Sequence, residues 1–389
     1  MKKANRRTFL AAGTKAGASL ALTGVFARRI YGAGSGGFER IVYRQLGSTG
    51  FLVSEVGFGA MNMRDPELVH AVIDAGINYI DTAHRYMNGV NEEIICSVMK
   101  SKRDREFLTT KIPPRAPDEL LSMMETSLKR LQTDHVDLMM LHNLRNADPV
   151  LDEGAMKAFD EARKKGMCRF VGVSTHQNQQ PILDAAVKTK FWEAVLVGYN
   201  YMSPPEVGEA IARTREAGLA VIGMKNLLNI QTRQPLQDPP GMKERKLSFA
   251  QAALRWVLDD PNVDTIIPGM TSFDHLAENL QVMGLRMGFD DRRTLRRYGD
   301  RMRGSYCHGV SGCTECVEQC PKGVDVRDIN RCLGYAVGYG NPELARENYR
   351  DLPVSSRLDV CGNCDECVVR CAHGLDLTEN IRNARNLFV

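Results

Sequence analysis

The chain has 389 residues, a quarter of them charged and 43% hydrophobic, with a formal net charge of +4. That length exceeds one ordinary barrel and leaves room for a second module. Seven Lys or Arg and no acid fall in the first 38 residues; taking those seven from +4 leaves −3 for the remainder, which argues against a nucleic-acid-binding surface.

The chain opens with Asn5-Arg6-Arg7-Thr8-Phe9-Leu10, and a mildly apolar, Gly- and Ala-rich run follows to Phe26. Lys15 and three glycines interrupt that run, so it makes a poor membrane span. It resembles a twin-arginine export signal, which is an address rather than part of the fold. Residues 1–37 are therefore expected to be a leader directing the chain to the periplasm or another extracytoplasmic space. Cleavage is expected near Ala33, and membrane contact only if the leader stays uncleaved. A basic disordered tail is the alternative.

From Val53 onward, strand-like and helix-like segments alternate, as in a (β/α)8 barrel, an α/β fold. Strands are predicted at Val53–Gly57, Ile77–Asp81, Phe107–Lys111, Val136–Leu141, Phe170–Val173, Ala194–Gly198, Ala220–Gly223 and Thr265–Ile267. One intervening helix is predicted from Pro117 to Leu131. Asn226 to Lys246 carries three prolines and reads as a long loop on the active-site side, either a lid or an ordinary mobile loop. The barrel is placed at residues 38–289.

Three of these strands end in polar chemistry. The first delivers Asp81, with Tyr86 five residues later; the next two deliver Lys111 and His142. Polar groups at the C-terminal ends of separate strands are what barrel catalysis uses.

The stretches "NYIDTAHRYMNGVNEE", "FLTTKI", "DLMMLHN", "FVGVST" and "IIPGMTSFDHLAENL" resemble those of the aldo-keto reductases, in that family's order. The resemblance implies a nicotinamide-dependent oxidoreductase acting on a small carbonyl or alcohol, with Asp81, Tyr86, Lys111 and His142 as its catalytic four. Carbonyl reduction needs a proton for the developing alkoxide; by that resemblance Tyr86 would donate it, Lys111 would lower the phenol's pKa, Asp81 would hold Lys111, and His142 would hydrogen-bond the carbonyl oxygen. It also implies cofactor contacts at Ser174, Thr175, Tyr199, Asn200, Ser272, His275, Glu278 and Asn279. Four positions depart from the family's pattern. Thr175 replaces an Asn and Leu196 a Gln at the nicotinamide amide; Gly269 and His275 replace a Lys and an Arg that grip a 2′-phosphate. Losing both cations weakens discrimination for NADP, so NAD and NADP both stay open.

After Phe289 a charged, Arg-rich connector leads into residues where nine of the eleven cysteines lie, from Cys307 to Cys371. Cys361, Cys364, Cys367 and Cys371 follow the C-x2-C-x2-C-x3-C run of bacterial ferredoxins, with Ala372 in place of the following proline. Cys313, Cys316 and Cys320-Pro321 form a second group, and Cys307 lies six positions ahead of it. Residues 290–389 are expected to be a small, mainly helical ferredoxin-like domain with two [4Fe–4S] clusters. By that resemblance one cluster takes Cys361, Cys364, Cys367 and Cys320; the other takes Cys313, Cys316 and Cys371, and whether Cys307 completes it stays open. Zinc or disulfides are the alternatives. Cys96, Cys168 and Cys332 lack such spacing and read as small buried residues.

Two functions follow: an exported reductase or dehydrogenase, or a catalytically idle barrel serving as an iron–sulfur electron carrier or assembly partner. A nicotinamide moves two electrons and a cubane one, and no flavin motif is present. The clusters are therefore expected to stabilise their module or to serve a redox partner protein.

Overall fold

The computed structural model describes residues 30–32, 41–227, 247–361 and 367–389. Most of the predicted leader, residues 228–246 of the predicted loop and Cys364 lie outside those residues. Three short antiparallel strands, β1 (Ile30–Gly32), β2 (Ile41–Gln45) and β3 (Leu52–Ser54), form a floor. Eight parallel strands follow: β4 (Phe58–Gly59), β5 (Tyr79–Asp81), β6 (Phe107–Ile112), β7 (Val136–Leu144), β8 (Cys168–Thr175), β9 (Ala194–Gly198), β10 (Ala220–Met224) and β11 (Thr265–Ile266). They pair in chain order, and parallel bridges Val56↔Ile266 and Gly59↔Gly269 join the first strand to the last, as in a (β/α)8 barrel. Closure needs a glycine here: a Cβ on Gly59 would lie 2.6 Å from the Ile267 carbonyl oxygen.

The first predicted strand, Val53–Gly57, is corrected. Val53 and Ser54 pair with β2 in the floor, and the barrel strand resumes only at Phe58. The chain turns at Glu55, whose buried carboxylate accepts from Arg44 at 2.7 and 2.9 Å and pairs with Arg255 at 3.4 Å.

Between the strands lie α1 (Pro66–Asp74), α2 (Val90–Lys102), α3 (Pro117–Leu131), α4 (Asp148–Leu151), α5 (Glu153–Lys164), α6 (Gln179–Thr189), α7 (Pro205–Glu216), α8 (Phe249–Leu258) and α9 (Phe273–Leu280). Helix α3 spans the predicted residues. Pro117 starts it, Asp118 and Glu119 face its positive end, Lys129 and Arg130 its negative end, and Gln132 stops it in the left-handed region at φ 49°.

Strand residues alternate between two cores. Tyr79, Phe107, Leu138, Met140, Leu196 and Ile222 fill the barrel interior with Leu46 and Val53 of the floor. Ile80, Leu108, Met139, Leu141, Val195 and Val221 pack outward against the helices. Burying both faces explains the near-continuous apolar runs, and each fully buried aliphatic or aromatic side chain contributes about 1.5–3 kcal/mol. Parity also positions the chemistry. Asp81 is two residues after Tyr79, Lys111 four after Phe107 and His142 two after Met140, so all three share the inward phase at the C-terminal rim.

The remaining helices are α10 (Phe289–Met302), α11 (Val326–Val337), α12 (Pro342–Arg350) and α13 (Leu377–Phe388). Val324, Ile329, Cys332, Tyr349, Leu358, Leu377 and Ile381 form a second core. Eleven of the twelve residues of α11 are buried, because it lies between that core and the barrel. Arg145 pairs with Asp328 at 3.0 Å, and Lys225 donates to the Tyr335 hydroxyl at 2.9 Å. Asn341 donates to Asn62 at 3.1 Å and Asn88 to Glu347 at 3.2 Å. Among the described residues, no helix is long and apolar enough to cross a membrane.

Candidate active site

At the C-terminal rim, the buried Lys111 ammonium donates to Asp81 Oδ1 at 2.6 Å, the Thr82 carbonyl at 2.6 Å and the Tyr86 hydroxyl at 3.2 Å. All three ammonium protons are thereby used. The His142 ring stands edge-on to Tyr86, with ring centres 5.6 Å apart. All four side chains line one cavity of about 1160 Å³. Burial pushes Asp81 up and Lys111 down, but each opposes the other's shift, and at 2.6 Å they form an ion pair. Burial, then Lys111 and Arg85, hold His142 well below its usual range, so the imidazole is neutral.

Tyr86 departs from expectation. Lys111 was expected to lower its pKa. Burial instead pushes the phenol well above its ordinary value, and Asp81, Tyr335 and Tyr339 add to that. Asp81 neutralises the cation that was to do the lowering. Tyr86 is thus a firmly protonated hydroxyl.

Of the eight predicted cofactor residues, Ser174 and His275 line the cavity. Thr175 falls on the opposite parity and donates to the carbonyls of Leu144 and Gln177 at 2.8 and 2.5 Å. Tyr199 donates to Asp260 at 3.1 Å, and Asn200 accepts from Ser311 at 3.0 Å. Ser272 caps α9 by accepting from the His275 amide at 3.2 Å. Glu278 accepts from Ser248, and Asn279 is buried in the same helix. The structure thus brings two of the eight to the cavity wall.

Sequence reasoning missed other lining residues. His176 follows Ser174 by two, so strand parity could have found it. Lys225 directly follows β10, in the left-handed region at φ 57°. Tyr335 and Tyr339 also line the cavity, and they lie far beyond the barrel in sequence. Burial pushes the Tyr335 phenol up, but Lys225 and Arg331 outweigh it and lower the pKa.

The cysteines divide as well. Cys307, Cys313, Cys316 and Cys371 line one small cavity together with Arg327 and Asn330. Cys320, Cys361 and Cys367 pack at the edge of the C-terminal core. Cys96, Cys168 and Cys332 are buried, as expected.

The aldo/keto reductase family profile matches residues 55–233 and 241–296, more than half of the chain. An uncharacterised oxidoreductase of Bacillus subtilis, YqkF, is 27% identical, over 62% of this chain and 91% of that protein. The methylglyoxal reductase DkgB of Escherichia coli O157:H7 is 24% identical, over 61% of this chain and 90% of its own. Among solved structures, the holo form of an aldo-keto reductase from Bacillus halodurans is 25% identical, with TM-score 0.57 over 66% of this chain and 96% of that one. An aldo-keto reductase from Klebsiella pneumoniae in complex with NADPH is 24% identical, with TM-score 0.57 over 65% and 93%. With the Asp-Tyr-Lys-His set gathered at the mouth of eight parallel strands, the chain belongs to the aldo/keto reductase family and is an oxidoreductase.

Proposed function

We propose that the barrel transfers hydride between a nicotinamide cofactor and a small carbonyl or alcohol, with Tyr86 as proton donor. The observation that carries this reading is the Lys111 ammonium, shared among Asp81, the Thr82 carbonyl and the Tyr86 hydroxyl inside the cavity. A bound nicotinamide supplies or accepts the hydride. Neutral His142 offers an N–H to the carbonyl oxygen, and Tyr86 gives its proton to that oxygen as charge develops. Lys111 fixes the hydroxyl, and Asp81 keeps Lys111 charged. The balance is carbonyl, reduced nicotinamide and one proton against alcohol and oxidised nicotinamide.

The cavity fits a polar cofactor. Asn143 Oδ1, His176 Nδ1 and Asn226 Oδ1 are buried there without a hydrogen-bond partner among the described residues. With Ser174 they would hold the nicotinamide end, in place of the Asn and Gln replaced by Thr175 and Leu196. The test is anaerobic. Full-length protein and C4-deuterated NADH or NADPH are given a panel of small aldehydes, and deuterium is sought on the product carbinol carbon. Transfer supports the reading; its absence throughout, with no dinucleotide bound, favours the idle-scaffold alternative.

Discrimination between NAD and NADP is expected to be weak. A Cβ on Gly269 would meet nothing within 4 Å, so a side chain can start there without displacing a neighbour. Gly269→Lys should tighten NADP more than about tenfold relative to NAD, from the roughly 1.5–3 kcal/mol of a charged hydrogen bond. Isothermal titration with both dinucleotides checks this.

We further propose that the cysteine-rich segment is ferredoxin-like and carries two [4Fe–4S] clusters. Support comes from Cys307, Cys313, Cys316 and Cys371, four thiols from two separate motifs meeting at one cavity, which is how two-cluster ferredoxins share ligands. The second cluster would take Cys320, Cys361, Cys364 and Cys367. Anaerobic protein should contain about eight iron and eight sulfide, and Cys307→Ala about half of each. Stoichiometric zinc without sulfide would overturn this. Export as a folded, cofactor-loaded chain accords with the Arg6-Arg7 leader, and the clusters would then serve module stability or a redox partner.

A further inference from the structure

The catalytic cavity holds a second tyrosine–lysine couple, which hydride transfer leaves unused. Lys225 follows β10 at the same rim and donates to the Tyr335 hydroxyl at 2.9 Å, with its ammonium 4.5 Å from the ring centre. The first couple has nearly the same form: Lys111 donates to the Tyr86 hydroxyl at 3.2 Å and stands 4.7 Å from that ring centre. All four side chains line the one cavity. Tyr335 comes from α11, beyond residue 296, where the family match ends. Barrel and C-terminal module thus each supply half of the second couple.

Their surroundings set the two phenols apart. Asp81 meets the Lys111 charge at 2.6 Å, and burial with Asp81 keeps Tyr86 protonated. Among the described residues, no carboxylate pairs with Lys225, whose hydrogen bond goes to Tyr335. Arg331, one turn earlier on α11, stands 3.5 Å from the same phenolic oxygen. Arg331 and Arg145 share the carboxylate of Asp328, at 2.9 and 3.0 Å. The Tyr335 oxygen therefore faces two cations, and among the described residues no group accepts its proton. Such an oxygen is suited to carry negative charge. Burial pushes this phenol up, but Lys225 and Arg331 outweigh burial and lower it. Paired titratable groups pushed in opposite directions are the usual mark of an acid and a base. The backbone adds an independent sign: Lys225 is held in the left-handed region at φ 57°, with Asn200 donating to its carbonyl at 3.3 Å. A residue other than glycine kept there carries a conformational cost, typical of positions where function fixes the side chain.

We propose that Tyr335 is a general base toward carbon, and that the cavity removes and returns a proton at the carbon next to the carbonyl of an enolisable ketone or aldehyde. This activity goes beyond hydride transfer and uses the same contacts to the carbonyl oxygen. With that oxygen on Tyr86 and His142, the Tyr335 phenolate takes the proton from the α-carbon. The C–H electron pair becomes the C=C bond of an enolate, and the carbonyl π pair moves to oxygen. Hydrogen bonds from Tyr86 and His142 stabilise the charge there, and Lys225 holds the phenol. The reverse step restores the ketone with a hydrogen drawn from solvent through Tyr335. One hydrogen leaves carbon and one returns, so nothing is oxidised and no nicotinamide is consumed.

A ketone and an oxidised nicotinamide cannot exchange hydride, so that pair isolates the proton chemistry. Full-length anaerobic protein in heavy water is given oxidised dinucleotide with acetone, 2-butanone or cyclohexanone, and NMR follows the loss of α-hydrogen against buffer alone. The wild type should exceed the buffer rate by about 10²-fold or more, the usual contribution of a positioned base. Tyr335→Phe should lose nearly all of that excess. Lys225→Met keeps the phenol and removes its cation, and should lose about tenfold or more, the effect of one pKa unit. Exchange at the buffer rate with every ketone overturns the proposal, and so does exchange that survives Tyr335→Phe. Where Tyr335→Phe does not fold, full exchange in Lys225→Met overturns it instead. Deuteride transfer from C4-deuterated cofactor is measured on the same wild-type protein. Exchange without deuteride transfer removes the hydride reading and leaves the base in place; transfer without exchange does the reverse.

Discussion

Tyr86→Phe is expected to remove about 10²–10⁴-fold of carbonyl reduction, the usual contribution of a positioned general acid, while dinucleotide affinity is unchanged. The substitution removes one oxygen and keeps the ring that stands edge-on to His142 and under the Lys111 ammonium, 4.7 Å from its centre. The pH profile carries further information. Burial holds the Tyr86 phenol well above its usual value, so the donor stays protonated through and beyond pH ~10. Reduction by the wild type should therefore show no alkaline loss assignable to Tyr86 below that value. Retained turnover in Tyr86→Phe would direct attention to Tyr335. That phenol lines the same cavity, and Lys225 and Arg331 lower it despite burial. Tyr335→Phe in the Tyr86→Phe background would then abolish the residual rate.

The catalytic set was legible in sequence because each member ends a buried parallel strand, and a two-residue period fixes the direction of its side chain. The same rule, applied strictly, would have set Thr175 aside and picked out His176. The first barrel strand was misplaced because Val53 and Ser54 are as apolar or buried as a barrel strand requires, yet pair with β2 instead. What ends the floor strand is a long-range ion network at Glu55, with Arg255 two hundred positions away. The cavity's outer wall was illegible for a related reason. Tyr335, Tyr339 and Glu347 lie on or beside helices that follow the barrel, and only tertiary packing brings them over its mouth. Helix α11 joins both features: Asn330 lines the cysteine cavity and Tyr335, five residues or about 7.5 Å of helix rise later, lines the catalytic one.

Lys111→Met is expected to reduce stability as well as activity, by about 3–5 kcal/mol at neutral pH, the usual cost of leaving one buried partner unpaired. Asp81 is 1% exposed, and its Oδ2 already has no partner among the described residues. Without Lys111, Oδ1 also loses its hydrogen bond. Burial raises the Asp81 pKa, and Lys111 is the influence that opposes it. In the variant the folded-state pKa therefore climbs further above an unfolded value near ~3.9. A carboxyl group raised in this way binds its proton more tightly when folded, so stability falls as pH rises between the unfolded and folded values. The deficit relative to wild type should be small near pH 4, grow with pH, and level off once Asp81 ionises in the folded variant. Anaerobic urea unfolding at several pH values, followed by circular dichroism, measures it. Asp81→Asn added to Lys111→Met should restore most of the stability and flatten the pH dependence without restoring turnover. A Lys111→Met protein as stable as wild type at pH 8, with no pH-dependent deficit, would show that Asp81 is already protonated beside a neutral lysine. Tyr86 would then sit next to an uncharged amine, and Lys111 would position the phenol without stabilising its anion.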